Sequence, residues 1–469
     1  MKRGEHLKPT DKMVDLIAKE VMARLGGKTE SDADGGCVFD DMEHAVRACR
    51  IAQKQLVKMN FEKRAVIIEA IRRTSIEHAE ELARMTFEET EMGNYEDKVI
   101  KNKLVATKTP GIEDLRSEVI TGDDGLTLTE LSPFGVIGAI TPTTNPTETV
   151  INNAIGMIAA GNGVVFSPHP TAKESSLRII RLINAAIIEA GGPENLITTV
   201  GKPTIEQANK MMAHPDVDLL VATGGPGVVK AVLSSGKKAI GAGAGNPPAV
   251  IDETANIEQA ARDIIAGCSF DNNLPCVAEK EVIVVDEVAD YLIFCMKGSG
   301  AHFIEDTTLL RQLEDLIIVD GQVNKKFIGK SAHHILERIG VTCGDDIKVI
   351  SMDVPLSHPF VQHELMMSIL PVVRVKDFDE ALKAAVEVEH GYRHTAIMHS
   401  KNVDRLSALA KAIQTTIFVK NGPSYAGIGV GGEGCTAFTI AGPTGEGLTT
   451  AKTFTRRRRC VLVDGFNIR

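Results

Sequence analysis

The sequence predicts an α/β protein made of two Rossmann-like α/β domains, each on a parallel sheet, with a small additional strand element. Three observations carry that prediction. Short apolar runs at 136–140, 163–166, 196–200 and 219–222 alternate with helical stretches near 149–160, 172–190 and 205–213 and after Pro226. Runs of this kind, apolar on both faces and separated by helices, are what a covered parallel sheet requires. A second alternating block starts near Ala249, with AVID, EVIVVD, LIIVD, LPVVRV, TAIMHS and TTIFVK as its strand-like runs. The third observation is length: 469 residues suit roughly three units of about 150 residues.

Composition narrows the class. Hydrophobic residues at 43% and charged residues at 24% fit an ordinary globular chain and exclude wholesale disorder. Acidic groups exceed basic ones by 62 to 52, a formal charge of −10, so nothing global favours nucleic acid as a partner. No run approaches about 18 uninterrupted apolar residues, and MKRGEHLKPTDK lacks a secretory core, so neither a membrane span nor export is expected. The expected location is cytoplasmic. The 8 cysteines include no C-x-x-C pair and no zinc-spaced Cys/His cluster, so they are expected to be reduced thiols with no metal site.

The elements follow in chain order. Residues 11–25 place Val14, Ile17, Ala18, Val21 and Leu25 at helical spacing, and Gly26 stops the run. Residues 26–36 (GGKTESDADGG) hold no large apolar side chain and read as a tether. A fifteen-residue helix is marginal alone, so its apolar stripe either folds back on its own domain or docks on an external surface. Residues 40–93 fit two or three helices. Within a weaker segment at 104–131, EVITGDDGLTLTE has the turn and alternation of a hairpin. The C-terminal TFTRRRRCVLVDGF is strand-like and suited to pairing with another element or subunit.

The strongest chemical signal lies at 269–280 (SFDNNLPCVAEK). Cys276 follows Pro275, which donates no backbone hydrogen bond, so the thiol is expected on a constrained loop where local donors could favour a thiolate. Spacing alone leaves it open between a nucleophile and an ordinary loop thiol. Cys268 continues the helical face of Ile264 and Ile265 and reads as core. Taken singly, Asn145 is a common Asn-Pro turn residue and Glu364 a solvated charge. Residues 427–432 (GIGVGG) satisfy G-x-G-x-x-G, yet EGCTAFTI follows where a helix should begin, so a loop beside the site is expected instead. The Arg456 to Arg459 run reads as an exposed or intersubunit face.

These pieces line up in order with the aldehyde dehydrogenase superfamily, which the chain resembles over nearly everything after the tether. They are SPFGVIGAITP at 132–142, Asn145, TGG at 223–225, the Gly/Ala run at 241–245 ahead of Asn246 and Pro247, Cys276, and then Glu364. SFDNNLPCVAEK, TPTTNPTE and PTGEGLTTAKTFTR look more narrowly like the coenzyme A-acylating branch, similar to the propionaldehyde and acetaldehyde dehydrogenases of bacterial microcompartments. The resemblance implies an NAD-binding domain over 37–245 with an oligomerisation hairpin at about 117–131, a catalytic thiol domain over 246–440, and a C-terminal bridging segment over 441–469. It also implies that residues 1–36 are an encapsulation-type helix and linker, with a microcompartment shell protein as partner through 11–25 and the lumen as location, and a homodimer or homotetramer.

For chemistry, the resemblance implies Cys276 as nucleophile and Asn145 as oxyanion donor, with NAD as cofactor and coenzyme A as co-substrate. Thr141, Pro142, Thr143, Ser167, His169, Gly224, Gly225 and Glu364 are implied at the NAD site, Glu364 on the nicotinamide ribose. Two departures from the acid-forming branch stand out. The general-base Glu should fall near Gly241, but GAGAG offers no carboxylate there, which favours a thiol over water as acceptor. Ser167 replaces the usual Lys at the adenosine ribose, with His169 as substitute or simple turn residue. His390 and His394 are either structural or in contact with substrate or coenzyme A. The leading expectation is oxidation of propionaldehyde to propionyl-coenzyme A. Its rivals are an acetylating acetaldehyde enzyme, an acid-forming one using Glu279 or Asp271 as a displaced base, and a non-catalytic cargo protein.

Overall fold

A computed structural model of the chain describes residues 36–344 and 346–468. The helix expected at 11–25, and all of the tether except Gly36, lie outside the described residues.

The first sheet contains every apolar run expected between 136 and 222. Its strands are β1 (Val38–Phe39), β4 (Val136–Ile140), β5 (Gly163–Ser167), β6 (Ile197–Val200), β7 (Leu219–Thr223) and β8 (Ala239–Ala242), reached after the hairpin strands β2 (Glu118–Gly122) and β3 (Gly125–Pro133). The order β1-β6-β5-β4-β7-β8 is parallel throughout. β4, β5 and β6 are buried along their whole length because helices cover both faces. One of those helices, Pro146–Ala159, is buried at every residue, its polar members Thr147, Glu148, Thr149, Asn152 and Asn153 included. The short strands β1 and β8 were not anticipated. Val38 and Phe39 become a strand by pairing with Thr199 and Val200, a partner that no local pattern reveals.

Ahead of this sheet stand the helices Met42–Leu56, Phe61–Glu77, Ala79–Thr90 and Tyr95–Lys108. The last runs through part of the segment read as weak, started by the Asn94 side chain accepting from the Asp97 N–H.

The second sheet comprises β9 (Pro248–Ile251), β10 (Glu281–Val285), β11 (Ala301–Phe303), β14 (Val349–Asp353), β15 (Ile369–Val375), β16 (Thr395–His399) and β17 (Ile417–Lys420). Its order is β11-β14-β15-β10-β9-β16-β17, again all parallel. The LIIVD run does not join it. The helix Thr307–Ile317, capped by Asp306, buries Leu313 and Ile317 and carries into that run. Its last residues form a two-stranded hairpin of β12 (Ile318–Val319) and β13 (Gln322–Val323). The sheet positions go to β11 and β14.

After the small ladder of β18 (Ile440–Ala441) and β19 (Gly447–Leu448), the C-terminal strand β20 (Thr455–Val463) pairs antiparallel with β3 of the same chain. β2, β3 and β20 form a three-stranded sheet, with the Asp-Asp-Gly turn between β2 and β3 where the sequence predicted it.

The chain leaves β8 at Ala242 and enters β9 at Pro248. The carboxyl edge of the first sheet therefore leads directly into the amino edge of the second. Residues that follow β4, β5 and β7 and residues that precede β9, β10, β15 and β16 are carried toward one region.

Candidate active site

The loop before β10 has unusual backbone geometry. The helix Ile257–Ser269 ends, and Asp271, Asn272 and Asn273 follow at φ 48°, 52° and 68°. Three successive left-handed residues are unfavourable unless their side chains are held, and here each is. Asp271 accepts from the Asn94 N–H at 2.8 Å and pairs with Lys98 at 3.0 Å and Lys101 at 2.6 Å. Asn272 Nδ2 donates to the Gly93 and Gly329 carbonyls at 2.9 and 3.0 Å. Asn273 Nδ2 donates to the Cys268 and Glu279 carbonyls, and its own Oδ1 accepts from Lys280 Nζ at 2.5 Å. Held in this way, the chain turns through Pro275 and presents Cys276 half-buried. Cys268 is fully buried core.

Burial pushes the Cys276 thiol up to about 12, and the Glu364 carboxylate pushes in the same direction, while Lys280 and Lys101 oppose them. At rest the group is a thiol. Glu364 is itself raised by burial; its Oε1 accepts from the Gly245 N–H at 3.3 Å.

Asn145 immediately precedes the Pro146–Ala159 helix, in the position where an Asn normally caps, yet it makes no capping bond. Its Oδ1 accepts from Lys101 Nζ at 2.6 Å, while Nδ2 faces Thr144 Oγ1 at 3.3 Å. The amide is withheld from turn chemistry and keeps donor capacity.

At the carboxyl edge of the first sheet, β4 lies between β5 and β7, the point where strand order reverses and nucleotides commonly bind. Thr141, Pro142 and Thr143 follow β4; Ser167 ends β5 and His169 lies two residues on; Gly224 and Gly225 follow β7. Thr141 Oγ1 is buried and has no partner among the described residues. A Cβ at Gly225 would meet nothing within 4 Å. An unmet buried hydroxyl and open space over a glycine at the switch point fit a dinucleotide. Burial, and next the Lys325 charge, hold His169 below the ordinary imidazole range.

Residues 36–298 match the family model described as aldehyde dehydrogenase family. The chain belongs to that family. A propanal dehydrogenase (CoA-propanoylating) of Citrobacter freundii is 48% identical over 457 residues, 97% of this chain and 99% of that protein. A propionaldehyde dehydrogenase of Rhodopseudomonas palustris, solved with bound CoA and an acylated cysteine, is 61% identical with TM-score 0.91, covering 92% of this chain and 99% of that one. A propionaldehyde dehydrogenase from the fucose utilisation bacterial microcompartment of Clostridium phytofermentans is 54% identical with TM-score 0.91, over 92% and 99% of the two chains.

In this aldehyde dehydrogenase the stretch 239–248 carries no carboxylate, and neither proposed substitute base is available. Both Glu279 oxygens accept from Ser424, from its N–H at 2.8 Å and its hydroxyl at 2.7 Å, and burial raises that carboxyl to about 7. Asp271 is committed to Lys98, Lys101 and Asn94. His394 proves closer to the site than its sequence context indicated. Its ring packs on Gly245, where a Cβ would lie 2.8 Å from the ring Cγ, and Nδ1 contacts Thr395 Oγ1 at 2.8 Å. Burial drives it down to about 4, so it is neutral. His390 is exposed and bonds the Gln362 carbonyl at 3.1 Å. The GIGVGG loop starts no helix; Lys108 Nζ donates to its Gly429 and Gly432 carbonyls.

The sequence reading missed Lys101 and Lys280, both buried. The available signal for Lys101 was spacing: Lys98, Lys101 and the apolar Val105 share one face of the helix.

Proposed function

We propose that this aldehyde dehydrogenase oxidises a short aliphatic aldehyde, propionaldehyde, to its coenzyme A thioester with NAD as oxidant. The Cys276 thiol gives its proton to solvent, and the resulting thiolate sulfur attacks the carbonyl carbon. The displaced π pair becomes an oxyanion met by Asn145 Nδ2 and the Cys276 N–H. NAD, when bound, accepts the hydride and its two electrons. Thr141, Pro142, Thr143, Ser167, His169, Gly224 and Gly225 would hold it, with Glu364 on the nicotinamide ribose. Cys276 is left as a thioester. The thiol of coenzyme A attacks that carbonyl, the bond from carbon to the Cys276 sulfur breaks, and the proton of the incoming thiol passes to the departing Cys276 sulfur, which returns to the thiol.

The observation that carries this reading is the commitment of Glu279 and Asp271 to other partners beside a connector with no carboxylate. Water lacks its base, whereas exchange of one thioester for another needs chiefly a good nucleophile. Homo-oligomerisation through the β2-β3-β20 sheet, docking of residues 11–25 on a shell protein and placement in a microcompartment lumen belong to the same proposal. No helix among the described residues is long and apolar enough to cross a membrane.

The test is NADH formation from propionaldehyde with and without coenzyme A. Turnover should depend on the thiol and vanish in Cys276→Ala. Full-rate release of free acid without coenzyme A would overturn the acylating reading.

A further inference from the structure

Two lysines of the Tyr95–Lys108 helix, Lys98 and Lys101, are completely buried. Burying an ammonium is expensive unless carboxylates and hydrogen bonds surround it. Among the described residues the Lys98 ammonium pairs with Asp271 alone, at 3.0 Å. Lys101 does more. Its single nitrogen touches Asp271 Oδ2 at 2.6 Å, Glu148 Oε1 at 2.8 Å and Asn145 Oδ1 at 2.6 Å. The Asn145 oxygen accepts a hydrogen bond from this ammonium, and the two carboxylates lie at ion-pair distance and offset its charge. The three partners belong to separate parts of the site: Asp271 anchors the loop that presents Cys276, Asn145 stands before the Pro146–Ala159 helix, and Glu148 lies in that helix's first turn.

We infer that Lys101 is a positioning residue that fixes which end of the Asn145 amide faces the reacting carbonyl and ties that amide to the Cys276 loop. An ammonium only donates, so the amide atom it touches must be oxygen. The other end, Nδ2, is thereby turned away from Lys101, with Thr144 Oγ1 its contact at 3.3 Å. Without Lys101 the amide is free to rotate by half a turn and set its oxygen against the developing oxyanion, turning a stabilising contact into a repulsive one. The inference rests on the reading of Asn145 as an oxyanion donor.

The test compares two reactions of Cys276 in the full-length protein. In acylation by propionyl-coenzyme A, the Cys276 sulfur bonds to the carbonyl carbon. The carbon–sulfur bond to coenzyme A breaks, and the thiol proton passes to the departing thiolate. This step develops an oxyanion. Alkylation by iodoacetamide displaces iodide from a saturated carbon and develops none. Both rates are read by mass spectrometry on the Cys276 peptide, and their ratio cancels changes in thiol ionisation or access. Because Lys101→Met alone strands buried carboxylates, the main variant is Lys101→Met/Glu148→Gln, which leaves the Lys98–Asp271 pair balanced.

The ratio should fall about 100-fold, the scale for losing one oxyanion donor. In an Asn145→Ala background the same pair of substitutions should change it less than about threefold, since residues that act through one another are not additive. An unchanged ratio, or an equal loss in both backgrounds, would overturn the inference. If Asn145→Ala alone left the ratio unchanged, the oxyanion reading of Asn145 would fail. If the unaltered protein were not acylated at all, the proposed function would fail.

Discussion

Cys276, the proposed nucleophile, rests in the protonated state. Burial and the Glu364 charge raise its thiol to about 12 while Lys280 and Lys101 pull it down, so at neutral pH nearly all of it carries its proton. Alkylation of Cys276 by iodoacetamide should therefore rise about tenfold per pH unit from pH 7 to 9, and a plateau by pH 8 would contradict that ionisation. Glu364→Gln removes the second-largest contribution. It should speed alkylation at pH 8 by roughly three- to tenfold while lowering NADH formation. A variant slowed in both assays would show that Glu364 shapes the pocket instead of charging it. Cys276 and Asn145 could be singled out in the sequence as candidates because both sit in short motifs with special residue types. The field around them could not, because Lys101 and Lys280 owe their influence to partners distant in sequence.

At the scale of an element, the turn at Asp271–Asn273 depends on a close approach from elsewhere in the chain. Gly93 has φ 74°, and a Cβ there would collide with the Asp271 carboxylate. Gly93→Ala should cost about 2 kcal/mol or more from backbone strain and displacement of Asp271, and should slow Cys276 acylation. A drop in Tm with unaltered acylation would separate the turn from the chemistry. Strand β16 carries a different liability. His394 just before it and His399 at its end are both held near 4 by burial. A histidine with a lowered folded pKa contributes its full stability above about 6.5, and loses it as pH falls toward 4 because the unfolded chain takes up the proton first. Each should withdraw roughly 3 kcal/mol over that window, and His399→Leu should flatten the decline in Tm between pH 6.5 and 4.5. An unchanged slope would place the acid sensitivity elsewhere. Strands were legible where the run was unbroken apolar or β-branched, as in β6 and β9 at four residues each. β1 has two residues, and β8 (AIGA), β11 (AHF) and β14 (VISMD) interrupt the run with Gly, His or Ser, so their sheet partners define them. LIIVD misled because β-branched residues at a helix end resemble a strand until the Asp306 cap fixes the helical register.

For the whole molecule, the alternation of the two sheets was readable because each strand is buried on both faces, and the relation between the sheets follows from the brevity of 243–247. The three-stranded sheet is the part that the chain does not cover by itself. Register places Val119, Leu128 and Cys460 opposite one another, and next to them Thr121, Leu126 and Leu462. Because side chains alternate across a strand, these six share one face, and five of them are apolar. Val119 is 56% and Leu462 47% exposed. A three-stranded sheet with an open apolar face gains stability by covering it. Its root is firmly held: Phe454 is buried and its carbonyl accepts from Asn162 Nδ2 at 2.9 Å. The face of this sheet can therefore be altered without unfolding the core. Leu462→Asp puts an unpaired carboxylate on that face and should shift the protein to a smaller species in analytical ultracentrifugation, with Cys276 alkylation within about twofold of the parent because the substitution touches none of the site's partners. An unshifted sedimentation profile would mean that this face is not the assembly surface, and a parent that sediments as a monomer would remove the oligomer from the proposal altogether.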